Sequence, residues 1–345
     1  NQIKKLFRNS RIIGKRFRLV HIFFGRDKII EVATFRSLEA GTFNAVFGTI
    51  EEDALRRDFS INGLYYDPHT EQVIDFVHGV RDLKARKLKP IIPRDRIFTE
   101  DPVRMIRAVK YCCTTGCRMG LFLRWQIRKD RLLMADISPS RISEEVFKIL
   151  DGGHSVAIIR ALREYGLFEF LMPRLDQLLR EGESNGYTDR VFRSLATLDQ
   201  AVKSHHESRR GIQLSYLVGD YLFAHSKWVD VKRLPFPEVY ADIKELLKPV
   251  TPPNVEVEKA LVYLIRKRKL YQKLGTLPLS EPEAEGPRQD QSPSPTWDGD
   301  PAGATAGALL ADAAMEAGFE ADMGDFYDQR PRRRQRWLRW TLALP

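Results

Sequence analysis

The chain has 345 residues, 43% of them hydrophobic, and its 56 Lys and Arg against 46 Asp and Glu give a formal net charge of +10. That length supports two or three domains with true cores, and no apolar run approaches the roughly 20 residues a membrane helix requires. Three crowded cysteines, Cys112, Cys113 and Cys117, supply neither a disulfide framework nor four zinc ligands, and the histidines fall at no metal spacing. The simplest reading of the cysteines is a presumed helix carrying small buried thiols in a reduced compartment.

From the N-terminus the pattern predicts a helix, strands at 17–24 and 29–35, a helix opening at Glu51-Glu52-Asp53 and an extended run at 61–66. An Asp67-Pro68 turn, a strand at 72–76 and a small basic helix at 80–89 close this α/β piece. Residues 1–36 hold ten Lys or Arg against Asp27 and Glu31, an electrostatic footprint for free or polymeric phosphates. Glu31 interrupts an otherwise apolar, β-branched strand, and a buried carboxylate needs a cation or hydrogen-bond donors. A wet edge strand, an ion pair to Arg36 or Arg18, and a functional carboxylate would each meet that demand.

Two segments concentrate chemistry. Residues 53–64 read Asp-Ala-Leu-Arg-Arg-Asp-Phe-Ser-Ile-Asn-Gly-Leu, and residues 100–107 read Glu-Asp-Pro-Val-Arg-Met-Ile-Arg. In the second, Asp101 is suited to an N-cap and Pro102 to the first helical position, so that Arg104, Arg107 and Lys110 share a face. By itself such a face is either solvated or an anion site. In the first, Arg56, Arg57 and Asp58 are either a surface ion-pair cluster or a phosphate and sugar site completed by Asn62. Arginine forks match phosphate oxygens in a planar geometry that lysine lacks.

From Asp101 onward the periodicity is helical, with helices expected at 102–113, 143–150, 154–168, 189–204, 211–225, 239–247 and 255–274. Ser138 or Ser140 is available to cap the second of these. Residues 281–330 hold twelve acidic residues against Arg288 and Arg330 amid Pro, Gly and Ala, a composition that favours disorder. The end interleaves Arg332, Arg333, Arg334 and Arg336 with Trp337, a mixture able to grip single-stranded nucleic acid by phosphate contact and stacking, or to pair with the acidic stretch.

In this order and spacing, the two segments resemble the signature motifs of the class II tRNA nucleotidyltransferase and bacterial poly(A) polymerase family, over about residues 1–171. The resemblance implies an α/β nucleotidyltransferase head, N-terminally incomplete, at 1–98. A helical nucleotide- and RNA-binding domain at 99–171, an RNA-binding helical body at 172–278 and a disordered tail at 279–345 would follow. It implies Mg²⁺, ATP and RNA 3′ ends as ligands, a cytoplasmic enzyme and no membrane partner. On this resemblance Glu31 supports the metals, and Asp58 with Arg56, Arg57 and Asn62 holds sugar and phosphate. Asp101, Arg104, Arg107 and Arg141 belong to the nucleotide site.

The family's Gly-Ser turn and strand-borne Asp-x-Asp pair are absent from this chain. The expectations are therefore no polymerase activity in the chain as given, and an open edge on strand 17–24 or 29–35. CCA-adding members usually carry an acidic residue where this chain has Ser140, immediately before Arg141, so the departure resembles the poly(A) polymerase branch. A CCA-adding transferase, a non-catalytic RNA-binding remnant and a nucleotide-binding regulator are the rival readings.

Overall fold

The computed structural model describes residues 2–14, 19–24, 28–38, 47–204, 209–224, 235–274 and 338–339. A short helix α1 (Gln2–Leu6) leads into an antiparallel meander of β1 (Ser10–Ile13), β2 (Leu19–Phe24) and β3 (Lys28–Val32). The register sets His21 opposite Glu31, while Ile22 and Val32 turn inward and are buried. Strand β1 lies where no strand was expected, because its residues Ser-Arg-Ile-Ile show little alternation and remain largely exposed.

Helix α2 (Ile50–Leu55) begins with a capping box. Thr49 Oγ1 accepts from the Glu52 amide at 3.2 Å, and Glu52 Oε2 accepts from the Thr49 amide at 2.7 Å. The expected extended run at 61–66 is corrected by the structure. Residues Ser60–Asn62 form a 3-10 turn, closed by the Asn62 amide on Phe59 O at 2.9 Å, and the strand starts only at β4 (Leu64–Asp67). A hairpin returns as β5 (Gln72–Asp75).

The Asp75 carboxylate accepts the amides of Val77, Gly79 and Val80 and so opens α3 (Gly79–Lys84). A Cβ at Gly79 would stand 2.2 Å from Ser60 O, so only glycine allows this helix to pass so close to the 3-10 turn. Strand β6 (Lys87–Leu88) follows, and the backbone at 89–91 returns to residues 58–60 through Ser60 N to Lys89 O at 2.9 Å and Ile91 N to Asp58 O at 3.1 Å.

The rest is helical: α4 (Arg94–Glu100), α5 (Val103–Thr115), a two-residue β7 (Arg118–Met119) parallel to β6, and α6 (Leu121–Asp130). Then come α7 (Pro139–Leu150), α8 (Ser155–Glu164), α9 (Phe168–Leu171), α10 (Pro173–Glu181) and α11 (Tyr187–Lys203). The bundle ends with α12 (Arg210–Ala224), α13 (Phe236–Leu247) and α14 (Asn254–Leu274). One hydrophobic core runs from Phe59 and Leu88 through Phe98, Ile106 and Phe168 to Leu264, so the turn that carries Asp58 is anchored in the helical body.

The start of α5 moves by one residue from expectation: Pro102, not Asp101, is the N-cap residue, and Asp101 stands just outside with Oδ1 accepting from Val103 N at 3.2 Å. Cys117 lies beyond the helix, because Gly116 ends α5 in the left-handed region at φ 69°. Burial pushes the Cys112 thiol up to about 12 and raises Cys113, which fits unreactive packing thiols.

The last strand, β8 (Leu338–Arg339), pairs parallel with β3, Ile30 opposite Leu338. The expected open edge is thereby corrected: β2 is central, and β3 is covered along Ile30 and Glu31. The acidic stretch 281–330 and the tail residues Arg332, Arg333, Arg334, Arg336 and Trp337 lie outside the described residues. Among the described residues, no helix is long and apolar enough to cross a membrane.

Helix α8 depends on a carboxylate far away in sequence. Asp199 accepts the buried amide of Ser155 at 2.7 Å and that of Val156 at 3.1 Å, tying α8 to α11. Asp199→Ala leaves both amides unmet and should destabilise the body by about 1–3 kcal/mol, read as a lower urea midpoint with retained helicity. An unchanged midpoint would show that water replaces the carboxylate.

Candidate functional site

The head and the helical body enclose a cavity of about 570 Å³. It is lined by Glu31 from β3, by Asp53, Arg56, Arg57 and Asp58 at the end of α2, by Asp101, Arg104 and Arg107 around the start of α5, and by Ser140 and Arg141 on α7. The two sequence segments and the α7 motif therefore converge, although they are some forty residues apart from one another. Asn62 stands behind the wall, with Nδ2 donating to Asp58 Oδ1 at 2.8 Å.

Asp58 is the joint of the site. Its Oδ2 accepts Arg107 Nε at 2.6 Å, and its Oδ1 accepts the Phe59 amide at 2.9 Å besides Asn62. The carboxylate is 6% exposed and Arg107 30%. Burial works against the Arg107 charge, but the Asp58 contact outweighs it and raises the pKa of the guanidinium further above its ordinary value. The Arg107 guanidinium also lies over the Tyr111 ring, 5.3 Å from its centroid.

A second buried carboxylate, Asp53, organises the neighbouring arginines. Its Oδ2 accepts Arg57 Nη2 at 2.6 Å, Arg57 Nε at 3.1 Å and Tyr65 Oη at 2.8 Å, while Oδ1 accepts Arg56 Nη1 at 3.0 Å and the Arg36 amide at 3.3 Å. Burial alone would raise the Asp53 pKa; the Arg57 contact reverses this and holds the carboxyl below the usual range. Sequence reasoning treated Asp53 only as an acid of the first helical turn. Its spacing of three and four residues from Arg56 and Arg57 was the available signal. Arg57, expected at a phosphate, has its fork committed to Asp53.

The remaining cations also have acidic partners. Arg104 Nη1 reaches Ile97 O at 3.0 Å and Glu100 Oε2 at 3.2 Å, and Arg141 Nη2 reaches Asp101 Oδ2 at 2.7 Å, closing α7 onto the α4–α5 junction. Lys110 and Lys148 both donate to Glu145 at 2.7 Å. Burial would raise the Glu145 pKa, but the two lysines outweigh it and lower it. Glu144 and Glu145, left without a role by sequence reasoning, thus line the cavity. Glu31 lies 3.7 Å from His21 Nε2 across the β2–β3 pair, a partner the sequence reading did not anticipate.

Seven lysines and arginines and six carboxylates line the cavity, so it is close to neutral with no anion bound. Any anion entering the cavity would have to share arginine donors with the carboxylates, which guanidinium can do because it carries five N–H groups. Among the described residues, no group of three or more His, Cys, Asp and Glu is placed to hold a metal ion. Glu31 by itself does not make the expected Mg²⁺ centre, and the other carboxylates each face a cation.

Residues 1–89 match the poly A polymerase head domain, and residues 124–179 match the probable RNA and SrmB-binding site of polymerase A. The chain is 39% identical over 217 residues to poly(A) polymerase I of Haemophilus influenzae, an alignment covering 58% of this chain and 48% of that protein. It is 34% identical over 136 residues to the multifunctional CCA protein of Xanthomonas campestris, covering 38% and 32%. Among solved structures, a CCA-adding enzyme in apo form II is similar with a TM-score of 0.46 and 18% identity, over 77% of this chain and 58% of that one. The chain spans about half the length, or less, of the curated relatives it matches. The two matched segments, in the head and in the adjoining helices, are thus similar to proteins named poly(A) polymerase and to proteins named for CCA addition.

Proposed function

We propose that the chain supplies the nucleotide- and RNA-holding parts of a template-independent poly(A) polymerase, which transfers AMP from ATP to RNA 3′ ends and releases pyrophosphate. The observation that carries this reading is the convergence of Asp58, Arg104, Arg107 and Arg141 on one cavity, with Asn62 bonded to Asp58 from behind. Relatives named poly(A) polymerase I at 36–40% identity support it. In the transfer, the RNA 3′-oxygen attacks the α-phosphorus of ATP as the bond to the pyrophosphate oxygen breaks. Arg104, Arg107 and Arg141 offer donors to the phosphates, while Asp58, held from behind by Asn62, faces the sugar. Their contribution is placement and charge stabilisation.

The family's chemistry implies Mg²⁺, but the carboxylates of the described residues do not assemble a site for it. That donor set favours, for the chain by itself, a binding role without turnover. Radiolabelled ATP, Mg²⁺ and an RNA primer incubated with the chain should yield no extended product although both ligands bind. Adenylation there would assign catalysis to carboxylates that this structure shows engaged with arginine and lysine.

Choice of base follows from Ser140, which sits on the cavity wall beside Arg141 where CCA-adding relatives usually carry an acid. A short hydroxyl cannot replace a carboxylate against a Watson–Crick edge. Calorimetric titration should show ATP bound at least about tenfold more tightly than CTP, or about 1.4 kcal/mol. Equal or tighter CTP binding would favour the CCA-adding reading.

The phosphate role rests on Arg107. Arg107→Ala should weaken ATP binding by about 1.5–3 kcal/mol, the worth of a charge-assisted contact, and Arg107→Lys should recover only part because one planar fork is lost. Thermal unfolding of each variant checks that the head remains docked. Unchanged ATP affinity in the folded Ala variant would remove α5 from the site.

A further inference from the structure

Outside the cavity, α6 displays large aromatic rings to solvent. Phe122 is 54% and Trp125 53% exposed, their ring centroids 5.4 Å apart and their planes inclined by 52°. One turn separates them, so they share a face. Each has its own cation: the Arg94 guanidinium lies 5.3 Å from the Phe122 centroid, and Lys129 Nζ lies 5.2 Å from the Trp125 ring. On the adjoining face Arg128 lies 4.6 Å from the Tyr165 ring while also reaching Glu164 at 3.4 Å. None of these rings belongs to the continuous core except Tyr165.

We infer that Phe122 and Trp125 form a stacking platform for bases of single-stranded RNA, with Arg94 and Lys129 meeting the flanking phosphates. This rests on the RNA-holding part of the proposed function. Aromatic rings offer any base a π-face, and cations beside them neutralise the backbone, the combination used for single strands without sequence preference. The charge complementarity favours a polyanion over an apolar protein partner, since the rings are bordered by arginine and lysine.

Placement adds a second argument. Helix α4 packs against both α5 and α6. Its first residue, Arg94, covers Phe122, and its last, Glu100, holds Arg104 at the cavity. Seven helical residues span about 10 Å, so the platform lies a few nucleotides' reach from the cavity rim, where the body of a primer would pass after its 3′ end enters. Trp125 and Lys129 lie within the segment 124–179 that matches a probable RNA and SrmB-binding site, whereas Phe122 and Arg94 lie outside it.

The test is fluorescence anisotropy of a labelled twelve-nucleotide oligoadenylate and of an abasic oligomer of equal length, on the whole chain. Trp125→Ala should weaken oligoadenylate binding by about 5- to 150-fold and abolish the preference over the abasic strand. Phe122→Ala should act in the same direction, Trp125→Phe should retain most of the affinity, and Lys129→Ala should lower the salt slope by about one phosphate. ATP affinity and thermal unfolding should be unchanged, because both rings stand half in solvent. If the wild-type chain binds no RNA, the proposed function fails with the platform. If the wild type binds and both alanine variants bind equally well, the platform alone is overturned and the face becomes a protein-docking surface.

Discussion

The ion pair between Asp58 and Arg107 joins two parts of the chain separated by 49 positions, at 2.6 Å. Everything that the cavity can do depends on that joint. Breaking such a buried pair by removing one partner leaves an uncompensated charge and costs more than the pair contributes. The backbone of residues 58–60 is therefore held from several directions: Phe59 in the core, Ile91 and Lys89 across the backbone, Asn62 on the side chain. A rigid mount of this kind fixes the arginine donors before any ligand arrives, so less ordering remains to oppose binding.

The arginine face of α5 was legible because helical periodicity places Arg104 and Arg107 together and the buried Met105, Ile106 and Val109 set the opposite face. The helices of the body were legible for the same reason, as were the hairpin and its Asp67-Pro68 turn. Their partners were not. Whether an arginine meets Asp53, Asp58 or a phosphate is decided by tertiary approach, and periodicity carries no information on that. The 3-10 turn at Ser60–Asn62 was hidden by apolar and β-branched letters. It is selected instead by the Asp58–Asn62 contact and by α3 passing within reach of Ser60, which only Gly79 permits. Glu31 was recognised as demanding a partner, and the partner, His21, follows from a strand register that depends on where β2 actually starts.

Three of the ion pairs around the cavity show how differently such contacts are held. Asp53 with Arg57 and Asp58 with Arg107 each bury the carboxylate almost completely, whereas Arg141 and Asp101 are 52% and 25% exposed. Exposed pairs contribute roughly 0–1 kcal/mol and are screened by salt, so the Arg141 contact is the least costly to exchange. It is also the contact that closes α7 over the α4–α5 junction. On the proposed function, a polyphosphate offering Arg141 a stronger partner than Asp101 would release a carboxylate that already accepts the Val103 amide, without disturbing the joint beneath. The cavity thus combines two pairs that keep its shape with one that can be traded. On the proposed function, this graded burial would let a nearly neutral pocket admit a highly charged ligand while its walls stay in place.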